Sequence, residues 1–474
     1  MSDSNGTPPS PTVYSCTDSG NAEIFASLYK GKVLFDHLRG KWMIWTGVRW
    51  REDDNGLIFR LATEVPKRRR ALSGTIENDD VRGKQYGFSL TSENAARIDA
   101  MFKIARNHAA LTDSGKNWDE NPWLICCENG PLDLQTGRLI KPSPQQRISK
   151  STGVMYDPAA ECPLWLDTLN KMWPDQPDVL DYVQRVFGYA ITGSIREQAL
   201  FCFYGGGSNG KNTTLDTAVA AMGEYGYTMP FATLESDARS AVSNDLAALQ
   251  GRRFVMASET KEDTRLNEGR IKSLTGDSKI TARFLYKEPF TFAVSSKFFL
   301  AFNHKPKIYD DSEGMWRRVK MIEVPGVFIP GTVIKGFGDL LLAELPGIFT
   351  WMVRGCLAWQ ERGLAAPESV KADTDAYRQE SNPISPFLEE NCIEGDGLMI
   401  VSTDLWTTYQ QWSKNEGEKY PLSRNGFGRR MSGKGFTNPL VKIGGKPVRV
   451  WKGLTTIEGV NQPRLIPDED TTVQ

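Results

Sequence analysis

Apolar residues along the chain fall into three regimes, each of which predicts a different kind of structure. Between residues 198 and 325 the runs ALFCFY, RRFVMAS and KFFLAFN are apolar almost without interruption and end abruptly in polar motifs. Short unbroken apolar runs predict strands covered on both faces, with their working loops at the strand ends. Just upstream, CPLWLDTLNKMW and DVLDYVQRVFGYAI repeat apolar residues every three or four positions, which predicts two amphipathic helices. Earlier still, KWMIWTGVRWRE reads as a hairpin of aromatic strands, and NPWLICCENGPLDLQTGRLIKP as strand, turn and strand.

These elements divide the chain. Residues 1–20, rich in Ser, Pro, Thr and Gly, predict a disordered tail. Residues 21–156 form a small N-terminal α/β domain, 157–197 a helical collar and 198–372 an α/β core. The core closes with the helical stretch GDLLLAELPGIFTWMVRGCLAWQER. Residues 373–386 (within KADTDAYRQESNPISP) are polar and predict a linker, 387–458 a compact C-terminal domain and 459–474 a tail. There is no internal repeat.

Composition narrows the class. At 474 residues the chain exceeds one ordinary core, and 40% hydrophobic with 24% charged residues is the balance of a globular protein. Lys and Arg (57) offset Asp and Glu (58), so any nucleic-acid site must be a local patch. No run reaches the length of a membrane span and the first residues lack the apolar core of a signal peptide, which predicts a cytoplasmic protein with no membrane partner. The seven cysteines lack C-x-x-C spacing and read as reduced core residues; with three histidines, metal is expected to arrive with a nucleotide.

The candidate chemistry sits at the ends of the apolar runs. Gly205-Gly206-Gly207-Ser208-Asn209-Gly210-Lys211-Asn212-Thr213 follows ALFCFY and precedes a helix-like stretch. Such a loop turns backbone N–H groups toward phosphates at a helix N-terminus, with the lysine on the outer phosphates, so ATP and Mg²⁺ are the expected cofactors. G-x-x-x-x-G-K arises by chance often enough to decide little alone; the flanking strand and helix give it weight. The hydroxyl that usually ligands Mg²⁺ directly after the lysine is replaced by Asn212, leaving Thr213 or a water for that place. Glu259, ending RRFVMASE, is the candidate to hold Mg²⁺ through water and orient the attacking water, on a strand expected beside the P-loop strand; Glu262 and Asp263 are rivals. Asn303, ending KFFLAFN, can contact a γ-phosphate and that water. Arg317 and Arg318 follow, and can reach a γ-phosphate in a neighbouring subunit.

The ordered series SNGKNT, ASE, RIKSLTGDSKITARFLYKEPFTF, AFNHKP and EGMWRRVKMIEVP resembles the superfamily 3 helicases of phage and plasmid replication, a type shared by the poxvirus primase-helicase. WMIWTGVRWRED, NPWLICCENGPLDLQTG and YDPAAECPLW look like the region ahead of the motor in that family, so the resemblance covers roughly residues 21–458. It implies an AAA+ type P-loop ATPase core, a homo-hexameric ring and translocation on single-stranded DNA, usually 3′ to 5′. Lys211 becomes the Walker A lysine, Glu259 the Walker B acid, Asn303 sensor 1, and Arg317 or Arg318 the arginine finger. A family primase domain is not expected ahead of this region, which leaves a separate primase or polymerase as partner.

The resemblance also places a DNA-contacting hairpin at TARFLYKEP, where Arg283 and Lys287 would meet phosphates and Tyr286 would stack on a base. At the C-terminus, DLWTTYQQWSKNEG, PLSRNGFGRRMSGKGF and LVKIGGKPVRVWKGL read as two helices and a hairpin, the outline of a winged-helix domain. Arg424, Arg429, Arg430, Lys434, Lys446 and Arg449 would line its recognition helix and wing on forked DNA. Lys67-Arg68-Arg69-Arg70 is the densest basic run, either a solvated helix face or a DNA path. An ATP-regulated DNA-binding initiator with little hydrolysis, favoured by Asn212, is the alternative function; a small-molecule P-loop kinase fits the paired arginines poorly.

Overall fold

The computed structural model describes residues 13–236, 242–259, 264–286, 288–326, 336–381, 384–417 and 421–458. The predicted 459–474 tail, Glu262, Asp263 and Lys287 lie outside these residues, as do residues 1–12 of the N-terminal tail.

At the centre is a five-stranded, wholly parallel sheet in the order Val319–Glu323, Leu200–Tyr204, Lys297–Phe302, Phe254–Glu259, Gly226–Thr228. The three apolar runs are its middle strands, and their lack of alternation follows from burial on both sides. Phe201, Phe203, Phe254, Met256, Phe299 and Ala301 pack into one core, while Leu200, Cys202, Val255, Ala257, Phe298 and Leu300 pack into another. Phe254 and Phe299 stack across adjacent strands with ring centroids 3.9 Å apart.

The first core is roofed by the predicted helices Pro163–Met172 and Pro177–Ala190, together with Lys211–Met222 and Leu345–Arg362. Pro177–Ala190 and Leu345–Arg362 touch at glycine: a Cβ on Gly188 would stand 2.0 Å from the Cys356 amide nitrogen, and one on Gly355 2.1 Å from the Gln184 carbonyl oxygen. No side chain fits at that crossing. No single described helix is long and apolar enough to cross a membrane. The bent pair Phe337–Ala343 and Leu345–Arg362 would qualify together by length and composition, but the second buries Ile348, Phe349, Met352 and Cys356 in this core.

Several boundaries differ from the expectations. Thr17 caps Asp18–Tyr29 by accepting the Gly20 amide at 3.1 Å, so residues 18–20 belong to a helix rather than to a tail. The N-terminal unit has its own core under the sheet Trp50–Glu52, Lys41–Trp45, Val33–Asp36, Thr112–Asp113, with helices at Leu57–Ala62, Glu64–Ser73, Asp79–Thr91 and Ala95–Ala105. Ile125, Cys127, Leu132 and Leu134 of the next three-stranded sheet pack instead into the core shared with the central sheet, so residues 124–156 side with that sheet. The polar linker is a helix, Glu368–Glu380, because Val370 and Tyr377, two turns apart, are both buried; Tyr377 meets the Trp316 ring edge-on at 5.4 Å. Six of the seven free cysteines are buried as expected, and Cys16 is exposed.

The C-terminal unit begins earlier than expected, with Ile384 and Phe387 already in its core, and it carries a leading helix and strand ahead of the predicted two helices and hairpin. The order is helix Ser385–Asn391, strand Cys392–Val401, helices Ser402–Asn415 and Arg424–Gly433, and strands Leu440–Ile443 and Lys446–Thr456. The long final strand lies between the other two in an antiparallel sheet.

Candidate nucleotide site

Strand register builds the site. Phe302 and Glu323 both pair with Tyr204, and Glu259 pairs with Phe302, so the residues following Tyr204 and Phe302 emerge at one edge of the sheet together with Glu259. The Glu259 strand is not beside the P-loop strand as expected from sequence, because Lys297–Phe302 lies between them. This insertion puts Asn303 between loop and acid.

The loop leaves Tyr204 through Gly205, whose φ of +148° and lack of a side chain are both needed: a Cβ there would sit 2.6 Å from the Val324 carbonyl oxygen. Ser208 and Gly210 also take positive φ before the helix Lys211–Met222 begins. Gly206, Gly207, Asn212 and Thr213 complete the loop and first turn. The Lys211 ammonium donates to the Gly205 and Gly206 carbonyls at 2.9 and 3.1 Å, to Asn209 Oδ1 at 2.8 Å and to Asn303 Oδ1 at 3.1 Å. Burial with no carboxylate partner holds its pKa down to about 8. Asn209 is itself buried and donates from Nδ2 to the Val324 carbonyl at 3.1 Å, so it ties the lysine to the strand beside the loop.

Asn212 points at the neighbouring acid strand: its Oδ1 accepts from Ser258 Oγ at 3.3 Å, and the next residue is Glu259, which is buried. Asn212 Oδ1 and Ser258 Oγ are hard oxygen donors on the face of the sheet that carries the helix Lys211–Met222, while the Glu259 side chain, one residue on, leaves the strand toward its other face. Mg²⁺ commonly binds one or two carboxylates and completes its shell with phosphates and water, and hard oxygens such as these two suit it. Among the described residues no cluster of three or more His, Cys, Asp or Glu offers a self-sufficient cage. Ser258 was passed over as a site residue in the sequence, although ASE contained it.

The two arginines separate. Arg318 is 8% exposed, donates from Nε to Thr275 Oγ1 at 3.1 Å and also to the Gly314 carbonyl, and so belongs to the interior. Arg317 is exposed and donates to Gln198 Oε1 at 2.5 Å. Both precede Val319, which pairs with Leu200, at the edge of the sheet opposite Lys211 and Asn303.

The expected hairpin exists: Lys279–Ala282 pairs antiparallel with Phe290–Ala293. Its tip exposes Arg283, Leu285 (69%) and Tyr286 (94%), with Tyr286 at a φ of +60°. In the C-terminal unit Arg424 and Arg429 are exposed, as are Lys434, Lys446 and Arg449. Arg430 is a correction: it is buried, its pKa lowered by burial against the opposing pull of Asp311 and Asp310 outside the C-terminal unit, and so it faces inward. The basic run 67–70 also dissolves on inspection. Arg69 is buried against Asn21, Gln85 and the Ser15 carbonyl, Arg70 pairs with Glu93 and Lys67 with Glu64. Lys67 and Arg68 are exposed, so what remains of the run is a solvated face beside a buried Arg69.

Comparison with known proteins agrees in outline. Residues 22–174 match the family "D5 N terminal like", 203–318 a family of unknown function, and 379–443 "Poxvirus D5 protein-like". Among curated proteins, "Putative helicase L207/L206" of Acanthamoeba polyphaga mimivirus is 27% identical over 420 residues, covering 79% of this chain and 43% of that protein. "Putative primase C962R" of African swine fever virus (isolate Tick/Malawi/Lil 20-1/1983) is 25% identical over 322 residues, covering 62% and 33%. The chain thus spans less than half the length of these relatives. A solved structure, the A form apo structure of the NrS-1 C terminal region, matches with a TM-score of 0.52 at 15% identity, covering 91% of this chain and 99% of that one. The fold is therefore a mixed α/β architecture around a parallel sheet, shared with that region, and the chain resembles the D5 primase-helicase type at both ends.

Proposed function

We propose that this chain is an ATP-driven DNA helicase motor of the superfamily 3 kind, with an AAA+ type core, acting as a hexameric ring on single-stranded and forked DNA in phage or plasmid replication, in the host cytoplasm. The observation that carries this reading is the bond from Lys211 to Asn303 at 3.1 Å, which joins the phosphate loop to the tip of the neighbouring strand, one strand from Glu259.

In that reading the backbone amides of residues 205–213 and the Lys211 ammonium bind the phosphates at the helix N-terminus. Asn212 and Glu259 would hold Mg²⁺, with Ser258 hydrogen-bonded to the first, and the ion would supply charge to neutralise the developing phosphate charge. Glu259 and Asn303 orient the attacking water. Arg317 completes the site of the neighbouring subunit, and this is why a ring is required. Tyr286 and Arg283 repeat around the central pore, where stacking and phosphate pairing pull one strand. The C-terminal unit is read as a winged helix whose Arg424 and Arg429 contact DNA, with a separate primase or polymerase as partner.

ATP hydrolysis by the wild type and by Lys211→Ala, each with and without single-stranded DNA, tests the reading. Stimulation of the wild type and an inert variant are expected. ATP binding without stimulation would favour the second reading, an ATP-regulated initiator with little hydrolysis, for which Asn212 in the hydroxyl position speaks.

A further inference from the structure

The C-terminal unit holds a recess of about 670 Å³ between the start of helix Ser402–Asn415, the helix Arg424–Gly433 and the hairpin that follows it. Its size is that of a small-molecule cleft, roughly 300–1,000 Å³. Trp406, Phe427 and Trp451 contribute aromatic surface to its lining, Arg424, Arg429 and Arg449 contribute cations, and no lining residue is acidic. Arg449 is braced by donating to the Asn438 carbonyl at 3.1 Å, and the Asn438 amide oxygen pairs with Ser402 Oγ at 2.9 Å. Arg424 and Arg429 have neither a hydrogen-bond nor a carboxylate partner among the described residues. On the same helix, Arg430 and Gly433 turn the other way, toward Asp311 of the motor. The recess therefore opens on the face not used for docking.

The geometry points to a binding site for single-stranded nucleic acid, in which one unpaired base enters against Trp406 while Arg424 and Arg429 hold the flanking phosphates. This rests on the reading of the chain as a DNA-acting protein and deepens it. Readers of duplex DNA push a convex helix into the major groove. Here the corresponding helix is one wall of a recess, with the hairpin as the other wall. A base in the cleft stacks on an indole, a contact indifferent to sequence because every base has a π-face. The arginines supply the complementary charge, and the absence of acids removes any competitor for it.

The test uses the whole chain, a fluorescent ten-residue oligothymidylate, its abasic counterpart and a blunt duplex of the same length. Arg424→Ala/Arg429→Ala, two exposed positions, is expected to reduce the slope of log affinity on log salt by about 1.4 for the single strand, at about 0.7 per phosphate contact. Affinity for the duplex is expected to stay within about twofold. Removing the bases should weaken wild-type binding at least about fivefold, the low end of base–aromatic stacking, and Trp406→Ala should abolish that difference. An unchanged single-strand slope in the arginine variant overturns the assignment, as does an equal loss on duplex. Displacement of the oligonucleotide by polyglutamate at lower concentration than by oligothymidylate overturns it in favour of an acidic protein partner. Hydrolysis by the wild type is measured alongside. If ATP is not hydrolysed yet the cleft variants lose single-strand binding, the helicase reading falls and the cleft stands; with DNA-stimulated hydrolysis and unaltered variants, the reverse holds.

Discussion

Substituting Arg317 by alanine should abolish hydrolysis without unfolding the chain, and the defect should be repairable by a second subunit. The guanidinium is exposed and its hydrogen bond in the described structure goes to Gln198, so its loss should change stability by no more than about 0.5 kcal/mol, as for ordinary surface positions. Arg318→Ala is the contrast: it deserts Thr275 Oγ1 and the Gly314 carbonyl in the interior, and should cost about 1–3 kcal/mol. Arg317 precedes Val319, which pairs with Leu200, whereas the P-loop leaves Tyr204, which pairs with Glu323. Four residue steps at about 3.3 Å each separate those two edges, roughly 13 Å of sheet, so the residue cannot serve its own P-loop.

A finger supplied by a neighbour contributes about 10³–10⁵ to kcat, so Arg317→Ala alone should be inert. Lys211→Ala should be inert for the opposite reason. In rings assembled from equal amounts of the two, about a quarter of the interfaces pair an intact P-loop with an intact arginine, each from a different chain. Single-turnover hydrolysis, which counts interfaces individually, should recover to about that fraction. Wild-type hydrolysis by Arg317→Ala would refute the reasoning, and so would a silent mixture in which native mass spectrometry finds mixed rings.

Three further outcomes are expected. Lys211, held at about 8 in the nucleotide-free protein against 10.5 in the unfolded chain, is neutral when folded and protonated when unfolded between those values. Stability without nucleotide should therefore rise with pH across that window. Triphosphate binding should take up close to one proton at about pH 9 and little at about pH 7, and calorimetry in buffers of differing ionisation heat that found equal uptake would exclude this. Asn212→Ser should lower the Mg²⁺ concentration for half-maximal hydrolysis by on the order of tenfold; an unchanged titration would mean that the amide already ligands as well as a hydroxyl. Gly205→Ala should cost about 1–3 kcal/mol in backbone strain and displace the loop from Val324, read as a lower melting temperature and a loss of nucleotide binding; a melting curve like the wild type would contradict the crowding at that carbonyl.

What the sequence disclosed and what it hid follow one physical division. Continuous apolar runs announce buried strands because both faces of Phe254–Glu259 and Lys297–Phe302 are covered, and the glycine-rich loop announces itself because its backbone takes positive φ at Gly205 and Gly210. Strand order is not local, so nothing in the chain told that Lys297–Phe302 slips between the loop strand and the acid strand. The helix Glu368–Glu380 was masked by its polarity, since two buried residues, Val370 and Tyr377, suffice to dock it. Arg429 and Arg430 are adjacent and alike in sequence; the turn of the helix puts Arg430 on the buried face with Phe427 and Met431 and leaves Arg429 outside. The same limit applies to Asn303 and Arg317, close in sequence yet at opposite edges of the sheet. A motif series suggests that its members gather at one site, whereas the sheet sends these two to different sites, and a site that needs both must be shared between two copies of the chain.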